Sequence, residues 1–433
     1  MYKLLYRSFT QFLLAVVPVL FLCSNVLAQA HLRLMSYNLL NFPTSNITTR
    51  IDTLEKIVDY YKPHLFLIQE LENESGLLSI TDMMNTLGYG NFASGTFVPQ
   101  QSNDGGGDNP LQHAIVYDMN SLVLVNESVV LTEYRDINEF LLYLNDPELE
   151  NGADTSFIYV YVTHLKSSQG TAEQAIRLSM VNSLIDHLET IPPGSNVIFA
   201  GDFNIYNNME PAYEAIVDNN NPILLVDPFG DYGNWVYSGF PHKEILTQST
   251  REDVIYNDGA SGGIDDRFDF IILSQSLMED ESPLRYVEDS YKSLGNTGEC
   301  LNLDITACAE ANPIPLNILI ALYYMSDHLP QVMELETVLP EPKQIEEANI
   351  EVEIEFTTGN LVSEKMEFII RTKTSIHCFI SISNTNGEIV YQNIHRSNSS
   401  IGIDCSTFAN GMYVLNITSE DGVQLSSRFG VVR

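Results

Sequence analysis

Asn196-Val197-Ile198-Phe199-Ala200-Gly201-Asp202-Phe203-Asn204 is the stretch on which the fold of this chain turns. Asn196 to Ala200 is a short, mostly apolar run without helical spacing, which predicts a buried strand. Gly201 to Asn204 closes it with turn-forming residue types. Side chains alternate along a strand, so Asp202 and Asn204 are expected to project together from the end of a sheet. Strand ends are where α/β folds assemble their active sites. Alone the tetrad is also an ordinary turn, and its meaning depends on what stands elsewhere in the chain.

Working outward, the same transition from apolar strand to polar residue recurs. Leu32–Tyr37 ends at Asn38, His64–Gln69 at Glu70, and Phe157–Thr163 at His164, with Lys166 close behind. Asp327 and His328 stand just before the strand Gln331–Leu335. Arg267-Phe268-Asp269-Phe270 sets a carboxylate inside an apolar strand, which is costly unless it is paired. Singly, each residue has a structural explanation as a turn, a solvated face or a satisfied core histidine. Their occurrence at successive strand ends points to chemistry instead.

The chemistry that uses these types together is phosphoester hydrolysis. It needs a cation on the non-bridging oxygens, a base for water, and an acid or metal for the leaving group. Glu70, Asp327, Asn38 and Asn204 offer the oxygen ligands that a hard cation such as Mg²⁺ prefers. On an extended backbone Asp327 and His328 point apart, so the partner of His328 is expected from elsewhere, and Asp269 is the natural orienting carboxylate. His164 is then left to donate to a phosphoryl oxygen or the leaving group. Lys166 and Arg267 flank these motifs as candidates for substrate phosphates, with surface ion pairs as the competing explanation.

Helical spacing at Ile51, Leu54, Ile57, Val58 and Tyr61 predicts a helix over 47–61, stopped by Pro63. Ala175, Leu178, Val181, Leu184, Ile185 and Leu188 predict another over 171–188. Residues 205–264 form a long acidic, aromatic insertion. Strands interleaved with helices, and long stretches without helix, predict an α/β fold with mixed sheets over 31–338. Leu339-Pro340-Glu341-Pro342-Lys343 opens a linker, 339–348, and 349–433 reads as a small all-β sandwich with Asn-Gly and Asp-Gly turns.

Residues 1–30 have the form of a secretory leader: Lys3 and Arg7, the apolar run Phe12 to Leu22, and Ala28-Gln29-Ala30 at the cleavage site. That run is too short for a comfortable membrane span, and no other is long enough. Cys300 with Cys308 and Cys378 with Cys405 fit two local disulfides in an exported chain, with free structural thiols as the alternative. Net charge is −36, and two units more negative without the leader's Lys3 and Arg7. Such a surface disfavours tight, non-specific wrapping of nucleic acid, which basic residues hold. A polyanionic substrate then needs a divalent cation and a few local Lys or Arg residues, with Arg177 and Arg251 as further candidates.

Taken together, the motifs at Asn38, Glu70, His164, Asp202-Phe203-Asn204, Asp269 and Asp327-His328 resemble the endonuclease/exonuclease/phosphatase superfamily. The likeness runs in order from about Leu32 to Leu335. Thr163-His164-Leu165-Lys166-Ser167 and Gly262 to Asp269 look like its secreted bacterial nuclease-like members. The resemblance implies a four-layer α/β sandwich with two mixed sheets between helices. It implies cleavage of phosphodiesters or phosphomonoesters with Mg²⁺, or Mn²⁺ or Ca²⁺ in its place. By that likeness Glu70 is the chief metal ligand, helped by Asn38 and Asp327. Asp202 and Asn204 position water and stabilise the transition state. The Asp269–His328 dyad acts as base and His164 as the second acid/base group, with base and acid interchangeable as far as sequence goes. Asn386 to Val390, Asn410 to Leu415 and the terminal Arg428 to Arg433 resemble the sorting domain of type IX secretion cargo, which implies a secreted or surface-attached protein that meets that machinery. A monomeric extracellular nuclease is the leading expectation. Its rivals are a phosphatase or sphingomyelinase-like phospholipase, and a catalytically inactive surface-displayed binding protein.

Overall fold

The computed structural model describes residues 31–43, 50–102, 111–145, 156–230, 235, 240–255, 258–279, 284–337, 353–373, 375–384, 389–419 and 424–433. The expected leader, 1–30, and linker, 339–348, lie outside them. The first unit runs β1 (His31–Phe42), α1 (Arg50–Tyr61), β2 (Leu65–Leu71), α2 (Glu74–Leu87), β3 (Phe92–Ser94), β4 (Gln112–Asp118), β5 (Leu122–Val130), β6 (Ile137–Leu144), β7 (Phe157–His164), α3 (Thr171–Leu188), β8 (Asn196–Asp202), α4 (Pro211–Ile216), β9 (Leu225–Val226), β10 (Asp269–Ser274), β11 (Leu284–Tyr286), β12 (Lys292–Ser293), α5 (Leu316–Met325) and β13 (Gln331–Thr337).

These strands form two mixed sheets. One has the order β11-β13-β1-β2-β4-β3, with β12 also on β13; the other has the order β5-β6-β7-β8-β10-β9. In each sheet one central pair is parallel, β1 with β2 and β7 with β8, and the flanking pairs are antiparallel. The sheets face each other across one continuous core that includes Tyr37, Phe66, Ile115, Val160, Phe199 and Phe270. Helices α1, α2 and α5 cover the first sheet, and α3 with α4 the second. This is the expected four-layer α/β sandwich. Central strands are covered on both faces, so Leu65 to Ile68 is a run of fully buried residues without alternation.

Among the elements that did not stand out from periodicity are α2, α5 and β6. Helix α2 carries terminal signals all the same. The Asn73 side chain accepts from Gly76 N, and Gly88 closes the helix at φ 71°. Helix α5 is apolar on nearly every position, so no stripe marks it as a helix.

The C-terminal unit has the strands β14 (Glu353–Phe356), β15 (Leu361–Val362), β16 (Lys365–Arg371), β17 (His377–Asn384), β18 (Ile389–Arg396), β19 (Ser400–Asp404), β20 (Gly411–Ser419) and β21 (Gln424–Val431). They make one three-stranded sheet, β14-β16-β19, and one five-stranded sheet, β15-β21-β20-β17-β18. Alternate residues such as Met366, Phe368, Ile370, Leu415 and Ile417 fill a separate core. Cys300 and Cys308 are joined as expected. Cys378 and Cys405 are not: they are two buried thiols, one on β17 of the five-stranded sheet and one just past β19 of the three-stranded sheet. Each fills the sandwich core as a small apolar side chain. Among the described residues no helix is long and apolar enough to cross a membrane.

Candidate active site

Strand register brings the site together. Across the six-stranded sheet, Asp202 lies opposite His164 on β7 and opposite Asp269 on β10, so three functional side chains stand in one row. Gly201 makes that row possible. Its φ is +143°, and a Cβ there would sit 1.9 Å from the Thr163 carbonyl oxygen on β7. Gly201→Ala is therefore expected to cost several kcal/mol, about the upper end for a single substitution. A chemical-unfolding midpoint equal to that of wild type would contradict this.

Beyond Asp202 the strand alternation does not continue. Asn204 takes a left-handed backbone, φ 51°, and its N–H donates to Asp202 Oδ1 at 3.0 Å. A local turn, rather than the expected period of two, thus sets Asn204 beside Asp202, and its amide donates to the Leu165 carbonyl at 3.4 Å. Glu70 also has a positive φ, 59°, within β2. Such backbone costs a non-glycine residue on the order of 1 kcal/mol or more, and both instances fall at the site.

From the other sheet, Asn38 Nδ2 donates to Glu70 Oε1 at 3.0 Å and to Asp202 Oδ2 at 3.1 Å. Its Oδ1 accepts from Leu40 N, so the amide stands as a donor bridging two carboxylates. Asn41 N donates to Glu70 Oε2 at 3.0 Å. His164 Nε2 lies 3.3 Å from Asp202 Oδ2, and its Nδ1 lies 3.8 Å from Glu70 Oε1. His328 Nδ1 meets Asp269 Oδ2 at 2.7 Å, the pairing expected for an orienting carboxylate. Ser326 Oγ donates to the Asn38 carbonyl and receives His328 N, which ties the Asp327–His328 turn to the end of β1. Because residue 327 is a bend and not extended strand, Asp327 and His328 do not diverge: both reach one side chain, Gln248.

Gln248 was hidden in the long insertion. Its Nε2 stands 2.7 Å from His328 Nε2 and 3.1 Å from Asp327 Oδ2. Ala260 N donates to the same Asp327 oxygen at 2.6 Å. A glutamine in Thr-Gln-Ser-Thr has nothing in its local pattern to set it apart from a polar loop. Arg267 departs from expectation as well. It is 1% exposed and grips Asp227 with both terminal nitrogens at 2.7 and 2.9 Å, over the Phe270 ring at 4.2 Å. Its charge is spent on a buried pair and is not presented to a substrate. Lys166 remains partly exposed, donating to the Ser167 carbonyl and lying 5.3 Å over the Tyr134 ring.

The charges are strongly unbalanced. Burial, with Asp269 and Glu70 nearby, pushes the Asp202 carboxyl up to about 7, against the pull of His328 and Asn38. Burial and Asp327 raise Glu70 likewise. Burial drives His164 well below its usual value, with Arg135 and His113 adding to the effect. Burial also opposes the charged form of His328, but Asp269, Asp202 and Asp327 outweigh it and hold that imidazole well above its usual value. Buried carboxylates that lack enough countercharge fit a divalent cation. Ligand-type atoms of Glu70, His164 and Asp202 lie within 4.8 Å of one another, as do those of Asp202, Asp269 and His328. Acidic and histidine groups are thus placed to hold a metal.

Residues 363–431 match the family model of a secretion system C-terminal sorting domain. This type IX sorting domain marks the chain for secretion or attachment at the cell surface. No curated protein matches the chain. Solved structures similar to it include the catalytic domain of human Nocturnin with bound sulfate, at 15% identity over 72% of this chain and 98% of that one, TM-score 0.45. D. rerio TDP2 complexed with a single-strand DNA product matches at 15% over 71% and 100%, TM-score 0.46. An endonuclease/exonuclease/phosphatase family protein from Bacteroides thetaiotaomicron matches at 16% over 72% and 99%, TM-score 0.42. Likenesses this distant say nothing about substrate, and what the site does has to be argued from its own residues.

Proposed function

We propose that this chain is an exported, divalent-metal-dependent phosphoester hydrolase of the endonuclease/exonuclease/phosphatase type, acting as a monomeric phosphodiesterase on extracellular nucleic acid. The observation that carries it is the His328–Asp269 pair, 2.7 Å apart, set against Asp202 with Glu70 and Asn38 beyond it. Glu70 and Asp327, with Asp202 at hand, are the oxygen donors for Mg²⁺ or Mn²⁺. A bound cation supplies Lewis acidity toward the phosphoryl oxygens. Asp269 holds His328 Nδ1, so Nε2, which the Gln248 amide faces at 2.7 Å, is the nitrogen that exchanges a proton with water or the leaving group. His164, on the other side of Asp202, is the second proton-handling group, and Asn204 lines the same wall.

One observation favours a second reading, a small phosphoester or lipid substrate. Arg267 is withdrawn into its pair with Asp227, which leaves Lys166 as the flanking cation in a chain of net charge −36. The test is to assay the purified full chain with Mg²⁺, Mn²⁺ or Ca²⁺ on plasmid DNA, RNA, bis-nitrophenyl phosphate, nitrophenyl phosphate and sphingomyelin. The expected result is turnover of at least one phosphodiester, abolished by EDTA. Turnover of monoesters alone would remove the nuclease assignment, and activity indifferent to EDTA would remove the metal.

A further inference from the structure

The segment Thr247–Thr250 joins the two halves of the histidine–carboxylate pair. Thr247 Oγ1 accepts from Phe268 N and Asp269 N at 3.1 and 3.3 Å, at the start of β10. Leu329 N donates to the Thr247 carbonyl, Thr250 N to the Asp327 carbonyl, and Thr250 Oγ1 to the Ser326 carbonyl. The backbone of Gln248 bridges Asp266 on one side and His328 on the other. One short strap thus fixes the distance between the strand that carries Asp269 and the turn that carries His328.

The Gln248 side chain then closes over both functional groups of that turn. Its amide nitrogen lies 2.7 Å from His328 Nε2, which accepts once the imidazole is neutral, and 3.1 Å from Asp327 Oδ2, which accepts in either state. The reverse orientation would press the amide oxygen against a carboxylate oxygen, so the network assigns the nitrogen to this place. The alternatives for holding Nε2 are weaker. Asn38 Nδ2 is 3.5 Å away and Asp202 Oδ2 3.7 Å, both at or beyond useful hydrogen-bond length. Asp269 grips Nδ1 alone, so the direction of Nε2 is set by the groups around it. A shift of about 1 Å at a reacting group can cost about 10²-fold in rate.

We infer that Gln248 is a positioning residue for the phosphoester reaction: its carboxamide aims His328 Nε2 and sets the spacing between that nitrogen and the Asp327 carboxylate. The inference rests on the proposed hydrolase activity, but half of its test does not. Gln248→Met keeps the bulk of the side chain and removes both donors. In the full chain it is expected to lower kcat about 10- to 100-fold while KM moves less than about threefold. It is also expected to weaken Mn²⁺ binding about 10-fold, as loss of a contact behind a metal ligand does; free Mn²⁺ is read by electron paramagnetic resonance. The split between kcat and KM is a readout that a merely structural role would not give. The inference is overturned if Gln248→Met keeps wild-type kcat and Mn²⁺ affinity, or if its whole effect is a lowered unfolding midpoint. A wild-type chain that binds Mn²⁺ yet hydrolyses no phosphoester would sink the hydrolase reading, and the Mn²⁺ comparison would still decide the place of Gln248.

Discussion

His328→Ala is expected to lower kcat/KM on a phosphodiester by about 10³- to 10⁴-fold, and Asp269→Asn by nearly as much. The ring and the carboxylate act as one unit at 2.7 Å. Removing either takes away the aimed nitrogen, so the double variant should be little worse than either single one. Both side chains are almost fully buried, and loss of fold has to be separated from loss of chemistry. The separation lies in binding: His328→Ala leaves Glu70, Asp202 and Asp327 in place, so Mn²⁺ affinity should fall far less than rate. Additive losses from the two single substitutions, or turnover that survives both, would show that the pair is structural and that the proton is handled elsewhere.

Much of this arrangement was legible in the sequence because strand ends announce themselves. Wherever an apolar run stops at a residue such as Glu70, His164 or Asp202, the period of the run and the chemistry of its last residue are both visible, and register does the rest. Asp269 was legible for another reason: a carboxylate within Phe268–Phe270 demands a partner. What stayed hidden depends on long-range closure. Gln248 lies about eighty residues from His328 in a segment with no hydrophobic period, and only the folded strap brings it there. Arg267 misled because its partner, Asp227, lies forty residues away, and a buried pair looks like a free cation when only one member is in view. Cys378 and Cys405 misled through parity: an even count suggests pairing, but two thiols can each fill the core without joining. Helix α5, apolar at nearly every position, was unreadable from its pattern, since a stripe needs a polar face for contrast.

The site's carboxylates also make the second large prediction, in which pH and metal act on stability through one residue. Burial, with Asp269 and Glu70 nearby, lifts the Asp202 carboxyl from an ordinary value near 3.8 to about 7. In the folded chain it therefore keeps a proton that the unfolded chain releases between those two values. Native protein binds more protons than unfolded protein across that window, so stability contributed by Asp202 is fully present below about pH 4 and is lost as pH rises through about 7. The size is on the order of 4 kcal/mol at most. With EDTA present, the urea midpoint of the wild-type chain should fall between pH 5 and pH 8, and Asp202→Asn, which cannot ionise, should flatten much of that slope. Mg²⁺ should reverse the loss in the wild-type chain above pH 7, since a cation bound only to the folded state stabilises it by mass action. In Asp202→Asn the same addition should do far less. The variant would then be the more stable protein without metal and the less active one with it, because the like charge that strains the fold is the charge that holds the cation. Equal pH slopes for wild type and Asp202→Asn in EDTA, or equal stabilisation of both by Mg²⁺, would remove Asp202 from the metal site and with it the reason for a carboxylate at that strand end.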